Sequence, residues 1–261
     1  MTTTDITSWR KFGARVRARQ DTLLRELHQF EDPILVTGCQ RSGGTMLSRV
    51  ITGSEGMTNF WFGKDEELDA ALILSGAVAY QGHGRHCFQT TYLNDRWPEY
   101  LQQPKPFRMV WSLRNPQSVV YSMVYNWKRF ALNELFIHCG LSHMDDADRY
   151  KLQRFGVLGI SPLRRAACAY AGKVSQLRQL HAALPAERLT VLEYDRLVKD
   201  KQELLPALYG RLALAYQPSY AGPISERSLG KKSQLNTREI DEVERVCGPV
   251  FADALQLVNL G

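Results

Sequence analysis

The sequence contains no apolar segment long enough to cross a membrane. A membrane-spanning helix needs about 20 consecutive apolar residues, and the longest apolar run here, residues 70–80, suits only a buried helix. The beginning of the chain lacks the charged segment followed by an apolar run that marks an export signal. We therefore expect a cytoplasmic protein with no integral membrane segment.

Cysteine patterns typical of zinc sites or disulfide frameworks are also missing. The cysteines are odd in number and widely spaced, without a CxxC pair or a Cys/His cluster at zinc-ligand spacing. They are Cys39, Cys87, Cys139, Cys168 and Cys247. We expect reduced thiols and no metal site.

The usual signatures of nucleic-acid-binding proteins are absent as well. The formal net charge of +6 favours an anionic ligand. There is, however, no zinc-finger spacing, no RNP-like aromatic motif and no dense run of lysine and arginine. We predict no nucleic-acid partner, and the sequence leaves the oligomeric state open.

Apolar patterning predicts strands that alternate with helices. Three short apolar runs are typical of buried parallel strands, and each precedes a segment with helical spacing. This order predicts a single α/β domain over residues 1–261, with a mainly parallel sheet flanked by helices. An amphipathic helix is predicted within residues 1–32, and the loosely patterned segment 131–161 is a candidate substrate lid. The three runs are 34–37, 107–113 and 188–192.

The segment after the first predicted strand has the frame of a phosphate-binding P-loop without its lysine. Gly38, Gly43 and Thr45 fit the pattern GxxxxGK[ST], but Gly44 stands where the lysine should be. Enzymes that act on nucleoside triphosphates need that lysine on the phosphates, whereas the only cation in this loop is Arg41. The substitution argues against triphosphate chemistry.

Backbone N–H groups from Ser42 to Met46 and the positive end of the following helix are still expected to bind an anion. An ordinary glycine turn is the alternative. Residues 40–46, with the sequence QRSGGTM, resemble the 5′-phosphosulfate loop of the sulfotransferase family, usually PKSGTTW or the bacterial variant RSGTT. The resemblance implies a P-loop NTPase-like sulfotransferase fold that binds the donor 3′-phosphoadenosine-5′-phosphosulfate (PAPS). The donor-binding residues that it implies here are Arg41, Ser42, Gly43, Gly44, Thr45 and Met46.

A second, independent motif follows the next predicted strand. Arg114-Asn115-Pro116 is followed by Ser122, eight residues after the arginine, which is similar to the family's 3′-phosphate motif RNPxxxxxS. An arginine at a strand end can bind a phosphate through two nitrogens, and a serine about two helical turns later can donate a hydrogen bond. Taken alone, the pattern also fits a proline-initiated helix with a surface serine.

Two weaker similarities lie further along the chain. Residues 194–197, with the sequence YDRL, are similar to the family's YEDL, which would place Tyr194 near the adenine; a core tyrosine fits equally well. Lys231 and Lys232 lie in a segment that resembles the basic loop closing over the donor, and a solvated charge pair is the alternative.

The resemblance implies an enzyme that transfers a sulfuryl group from PAPS to a hydroxyl or amine, leaving 3′,5′-bisphosphoadenosine (PAP). Arg41 is the candidate for stabilising charge on the leaving oxygen, and no metal is required. The acceptor is expected to be a small molecule or a carbohydrate. A P-loop kinase or hydrolase with a displaced cation and a non-catalytic nucleotide-binding module remain alternatives.

Several residues are candidates for the general base that takes the acceptor's proton. Cytosolic members of the family place a histidine about 22 residues before the 3′-phosphate arginine, and that histidine is absent here. Golgi-type and bacterial relatives use a glutamate roughly 20–30 residues after the loop cation. The acidic residues in that range, Asp65, Glu66 and Glu67, would also be favourable in the first turn of a helix, where the helix dipole stabilises negative charge. The candidates are Glu66, which is favoured, then Asp65, Glu67, His83 and His86.

Overall fold

The computed structural model describes residues 4–226, 229 and 234–260, and a four-stranded parallel sheet lies at the centre. The strands are β1 (Ile34–Gly38), β2 (Cys87–Gln89), β3 (Arg108–Leu113) and β4 (Leu189–Glu193). Their order across the sheet is β2-β1-β3-β4, and every neighbouring pair is parallel. β1 and β3 pair from Ile34 with Arg108 to Gly38 with Ser112, so their carboxyl ends lie side by side.

Eleven α-helices pack around this sheet in the described part of the chain. They are α1 (Trp9–Phe12), α2 (Gly44–Thr52), α3 (Glu66–Leu74), α4 (Pro116–Tyr125), α5 (Arg129–Leu135), α6 (Asp146–Phe155), α7 (Pro162–Val174), α8 (Gln176–Ala183), α9 (Tyr194–Lys199), α10 (Lys201–Arg211) and α11 (Thr237–Leu255). Short π-helical turns continue α1 over Gly13–Arg17 and α5 over Phe136–Gly140.

Both faces of the sheet are buried. Along β1, Leu35 packs into one apolar cluster, whereas Ile34 and Val36 pack into a second one on the opposite face. Successive side chains of a strand point to opposite faces, so a strand covered on both sides must be apolar throughout. This explains the continuous apolar runs of the sequence.

The fold class predicted from the sequence is confirmed, with one strand added. The three predicted strands correspond to β1, β3 and β4. The added strand, β2, has no clear sequence pattern because it has only three residues, Cys87 to Gln89, and follows a polar loop rich in glycine and histidine. This edge strand carries Gln89 and, just beyond it, Thr91 to the carboxyl edge of the sheet.

The predicted helix within residues 1–32 is wrong over most of its length. Helical structure covers residues 9–17, followed by turns and a short 3-10 helix at Leu27–Gln29. The backbone N–H groups of Leu23 and Leu24 donate to the buried carboxylate of Glu99, at 2.6 and 2.8 Å, instead of closing helical hydrogen bonds. The two leucines are buried all the same.

The segment 131–161 is more regular than its sequence pattern suggested. It contains most of α5, the π-helical turn after it, and all of α6. Glycines at 140, 156 and 159 break up the helical pattern because they fall between these short helices. Its role as a substrate lid stays a prediction.

Disulfides, clusters of metal ligands and membrane-spanning helices are all absent from the residues that the structure describes. All five cysteines are buried free thiols. No group of three or more potential metal ligands occurs there, and no helix there has the length and hydropathy needed to cross a membrane.

Candidate functional site

The loop between β1 and α2 lies at the carboxyl edge of the sheet and requires glycine at two positions. Gly38 has φ 131°, and a Cβ there would lie 2.5 Å from the carbonyl oxygen of Ser112. Gly43 has φ 93°, and a Cβ there would lie 2.0 Å from the ring of Tyr194. Larger residues would be both strained and sterically excluded at these positions. The loop is therefore packed tightly against β3 and α9.

The amino end of α2 has no side-chain cap, and Gly43, Gly44 and Thr45 at this end line a cavity. The first N–H groups of a helix have no partner within the helix, so they are available to an anion. Beneath them, the Ser112 hydroxyl donates to the Ser42 carbonyl at 2.7 Å. The Ser42 hydroxyl itself is buried and has no hydrogen-bond partner in the described structure. These features fit an oxyanion held by the loop.

Two arginines from different elements converge on this helix end. Arg41 has φ 70° and donates through Nε to the Ser122 hydroxyl of α4 at 3.0 Å. Arg114, at the end of β3, is 3% exposed and donates to Asp195 at 3.0 Å. Burial, and then the neighbouring Arg114 charge, lower the pKa of Arg41. An anion bound between the two cations would relieve this repulsion.

Tyr194 closes one side of the arginine pair. The Arg114 guanidinium carbon lies 4.7 Å from the centre of the Tyr194 ring, in a cation–π contact. The Tyr170 hydroxyl donates to the Arg114 carbonyl at 2.7 Å, and the Asn115 side chain caps the start of α4. The strand end that carries Arg114 is thus held by three neighbouring elements.

These groups surround a cavity of about 460 Å³, which we call the donor cavity after the ligand expected from the sequence. Most of the donor-binding residues expected from the sequence line it: Arg41, Gly43, Gly44, Thr45, Met46, Arg114, Ser122 and Tyr194. Ser42, which belongs to the same loop, is buried and does not line the cavity. Lys231 and Lys232 lie outside the described residues.

A larger cavity of about 1230 Å³, which we call the acceptor cleft, opens from the same loop. Its walls come from the amino-terminal segment, the start of α3, the residues after β2, and the segment from the end of α4 through α5. The two cavities share lining residues: Gln40, Arg41, Thr45, Arg49, Gln89 and Thr91. A group bound in one cavity can therefore approach a group bound in the other.

The three acidic candidates for the base are engaged in different ways at the start of α3. Asp65 caps the helix by accepting from Leu68 N–H at 3.1 Å, and it accepts from the Trp9 indole at 2.9 Å. Glu66 forms a two-point ion pair with Arg49, at 2.5 and 3.2 Å. Its carboxylate is therefore neutralised by a neighbouring cation.

Glu67 lines the acceptor cleft, and its hydrogen-bond partners Gln89 and Thr91 line both cavities. Gln89 donates to its Oε2 at 3.0 Å, and the Thr91 hydroxyl donates to its Oε1. Desolvation by burial raises the pKa of Glu67 to about 7, although the hydrogen bond from Thr91 acts in the opposite direction. A carboxyl group with a pKa near neutrality is suited to accept a proton at physiological pH.

The histidine candidates are far from Glu67 in the topology. His83 and His86 precede β2, which begins beside the start of β1, so they lie at the amino edge of the sheet. His86 is fully buried, binds the Tyr80 hydroxyl at 2.9 Å and stacks on Phe88. His83 is exposed and lines neither cavity. The structure does not bring His83 to the site, contrary to its sequence-based assignment as a catalytic candidate.

Comparisons with known proteins agree with this architecture. No family model and no curated protein matches the sequence. Among solved structures, the sulfotransferase domain from the curacin biosynthetic pathway superposes with a TM-score of 0.54 at 16% identity, covering 87% of this chain and 98% of that domain. The chain has the sulfotransferase fold. Mouse sulfotransferase SULT7A1 complexed with PAP (TM-score 0.53, 15% identity, 91% and 94% covered) and sulfotransferase STF9 from Mycobacterium avium (0.51, 13%, 95% and 81%) have the same fold.

Four residues of the site in this sulfotransferase fold were not found from the sequence. Gln89 and Thr91 could not be predicted as site residues, because the short strand β2 that places them there has no clear sequence pattern. Asp195 follows the tyrosine of a weak motif, but nothing in the sequence pairs it with Arg114. Gln40 donates to the Thr91 carbonyl at 2.9 Å and so ties the donor loop to the acceptor cleft; its place inside the loop was the only signal.

Proposed function

We propose that this protein is a sulfotransferase that moves a sulfuryl group from PAPS to a hydroxyl or amine of an acceptor. The observation that carries the proposal is the convergence of an uncapped helix end with Arg41, Arg114 and Ser122 around one cavity. A donor with phosphates at both ends requires two separate anion sites, and the loop and the end of β3 supply them.

The residues present fit such a donor. The N–H groups at the start of α2 and the side chain of Arg41 would hold the 5′-phosphosulfate, whereas Arg114 and Ser122 would hold the 3′-phosphate. Tyr194 lies against both Gly43 and Arg114, where its ring can contact the adenosine part. The orphaned hydroxyl of Ser42 is one further polar group that the loop leaves unpaired.

Glu67, rather than Glu66, is the general base in this proposal. Glu66 is neutralised by Arg49, whereas Glu67 accepts two hydrogen bonds from residues that line both cavities and has a raised pKa. Gly44 favours this arrangement, because a Cβ at that position would point toward Gln89 and Thr91, at 3.5 and 3.6 Å. With glycine there, residue 44 adds no side chain against Gln89 and Thr91, the two residues that donate to Glu67.

The reaction is a single in-line displacement. The acceptor oxygen or nitrogen forms a bond to sulfur as the bond from sulfur to the 5′-phosphate oxygen breaks, and Glu67 takes the acceptor's proton. Arg41 and the N–H groups of α2 stabilise the negative charge that develops on the leaving oxygen. The sulfonate donor supplies the activated group, and the protein supplies position, charge and the base.

Calorimetric titration with PAP and, separately, with ATP and Mg²⁺ tests this proposal. We expect PAP to bind tightly and Arg114→Ala to weaken it by about 2 kcal/mol or more, as for a lost charge-assisted contact. Binding of ATP with Mg²⁺ but not of PAP would overturn the proposal in favour of a kinase or hydrolase.

Arg108→Ala is the matched control. Arg108 lies at the other end of β3 and pairs with Asp32 at 3.1 Å, much as Arg114 pairs with Asp195. Both variants remove an arginine from the same strand, but only Arg114 lines the donor cavity. Equal loss of PAP affinity in both variants would indicate general damage to the strand instead of a binding contact.

A further inference from the structure

The acceptor cleft carries more positive than negative charge, and each of its carboxylates already has a hydrogen-bond donor or an ion-pair partner. Six cations and four carboxylates line it. As described above, Asp65, Glu66 and Glu67 each have a hydrogen-bond donor or an ion-pair partner. The fourth acid, Glu134, lies 3.6 Å from Arg17 Nε.

Three cations at the rim of the cleft have no such partner. The side chains of Arg10, Lys64 and Lys128 are exposed and form no ion pair or hydrogen bond with any residue in the described ranges. They come from α1, from the segment before α3 and from the residue before α5, so three separate walls each contribute one positive charge. Cations that converge from separate walls create a local field that favours an anion.

Deeper in the cleft, Arg17 is incompletely paired. It is 7% exposed, and one of its terminal nitrogens donates to the Tyr92 carbonyl. Its Nε lies in the ion pair with Glu134 at 3.6 Å without a hydrogen bond, and its Nη1 has no hydrogen-bond acceptor among the described residues. Burying these donors without hydrogen bonds is costly, and a ligand oxyanion would supply the missing acceptor.

Arg17 lies on the same wall of the cleft as Glu67, the proposed base. Tyr92, whose carbonyl Arg17 contacts, directly follows Thr91, and the Thr91 hydroxyl donates to Glu67. An oxyanion near Arg17 would therefore orient an acceptor along the wall that holds the base. The cleft of about 1230 Å³ exceeds the roughly 300–1,000 Å³ of most ligand pockets, so it has room for more than a reacting hydroxyl.

We propose that the acceptor carries an oxyanion, such as a carboxylate or a sulfonate, which the rim cations and Arg17 bind while Glu67 faces the reacting hydroxyl. This inference rests on the proposed function. Aromatic side chains also line the cleft, so an acceptor with an apolar ring can be accommodated: Trp9, Tyr92, Tyr125, Trp127 and Phe130.

Matched naphthols test the proposal by fluorescence titration of the PAP-saturated protein. The probes are 2-naphthol, 6-hydroxy-2-naphthoate and 6-hydroxynaphthalene-2-sulfonate, which share one ring system and differ in charge. An exposed ion pair contributes a factor of about 1.5 to 5, so several together should make both anions bind about tenfold or more tightly than 2-naphthol. This preference should shrink as salt rises from about 50 to about 500 mM.

Two variants separate the contributions. In the triple variant Arg10→Gln, Lys64→Gln, Lys128→Gln, we expect the preference for the anions to fall below about threefold. Arg17→Gln should reduce it as well, with a melting curve to confirm folding. The control is Lys105→Gln, Arg149→Gln, Arg178→Gln, which removes the same charge from exposed positions outside the cleft.

The outcomes are distinct. Equal affinity for the three probes in the wild type, no binding of any of them, or an unchanged preference in the rim variant would each overturn the oxyanion proposal. A preference for only one of the two anions would support it and identify the group. Failure of PAP to bind in the first place would instead overturn the proposed function.

Discussion

Replacing Glu67 by Gln tests the proposed base most directly, because the change keeps the shape of the side chain and removes its negative charge. Gln can still accept through its carbonyl from Gln89 or Thr91, so the wall of the cleft should persist. With a suitable acceptor, turnover is expected to fall about a hundredfold or more, as general-base catalysis contributes factors of this size. PAP affinity should be unchanged, because Glu67 does not line the donor cavity.

The raised pKa adds a prediction for pH dependence. The base acts only when it is deprotonated, so kcat/KM of the wild type should rise with pH and level off above about pH 7, the pKa of Glu67 in the free enzyme. One pH unit below that value, activity should be roughly a tenth of the plateau. The Glu67→Gln variant should show no inflection there.

The same pKa also predicts an effect on stability that needs no acceptor. Between its ordinary value of 4.5 and about 7, the folded protein holds this proton more firmly than the unfolded chain. The free energy of unfolding must then decrease as pH rises through this window. Each pKa unit corresponds to about 1.36 kcal/mol, which sets an upper limit of about 3 kcal/mol, reduced by solvent in the cleft. Because Gln does not ionise, the free energy of unfolding of Glu67→Gln relative to wild type should increase by up to about 3 kcal/mol as pH rises from about 4.5 to about 8.

Glu66→Gln is the control for both experiments. It breaks an ion pair in which the Glu66 side chain is 10% and the Arg49 side chain 58% exposed, and it leaves the hydrogen bonds from Gln89 and Thr91 to Glu67 in place. Because Glu67 keeps its partners and its charge, turnover should change by less than about fivefold. If Glu66→Gln lowered turnover as much as Glu67→Gln, or if the wild-type profile had no inflection near neutrality, the assignment of Glu67 would be wrong.

Two further predictions concern the donor cavity. Gly43→Ala should abolish measurable PAP binding and lower the melting temperature, because its Cβ would overlap the Tyr194 ring. Gly56→Ala is the control, because Gly56 also has a positive φ, 82°, but a Cβ there would have nothing within 4 Å. This control should cost only about 1 kcal/mol of backbone strain and leave PAP affinity intact. Tyr194→Ala should weaken PAP binding about fivefold or more in calorimetry. Tyr194→Phe should retain PAP binding, because the ring still covers Arg114. Equal losses in the two variants would indicate that the hydroxyl, and not the ring, is the binding group.

Local patterns predict the glycine loop and the strand-end arginine that line the donor cavity. The sequence around Gly38 and Gly43 specifies a tight turn between a buried strand and a helix, because only glycine tolerates the positive φ angles and close contacts found there. The Arg114-to-Ser122 spacing follows from the periodicity of one helix. Such features depend on neighbours in the sequence, so they can be read without the fold.

The acceptor side could not be predicted in this way. Sequence distance from Arg41 does not distinguish adjacent carboxylates, so the sequence favours Glu66 whereas the contacts in the structure favour Glu67. Their environments differ only after α3 packs against β2, when Arg49 pairs with one and Gln89 and Thr91 bind the other. The pKa of a carboxyl group is set by its burial and its partners, and both are tertiary properties.

Apolar periodicity and glycine geometry act over a few neighbouring residues, so the amino-acid sequence is enough to predict the parallel α/β sheet, the glycine loop and an arginine at a strand end. Which carboxylate accepts from Gln89 and Thr91, and which cations of the cleft have no partner among the described residues, depends on how distant segments pack. Those properties arise where α1, α3, β2 and α5 meet, and the residues that meet there, from Arg10 to Lys128, span more than a hundred positions of the sequence.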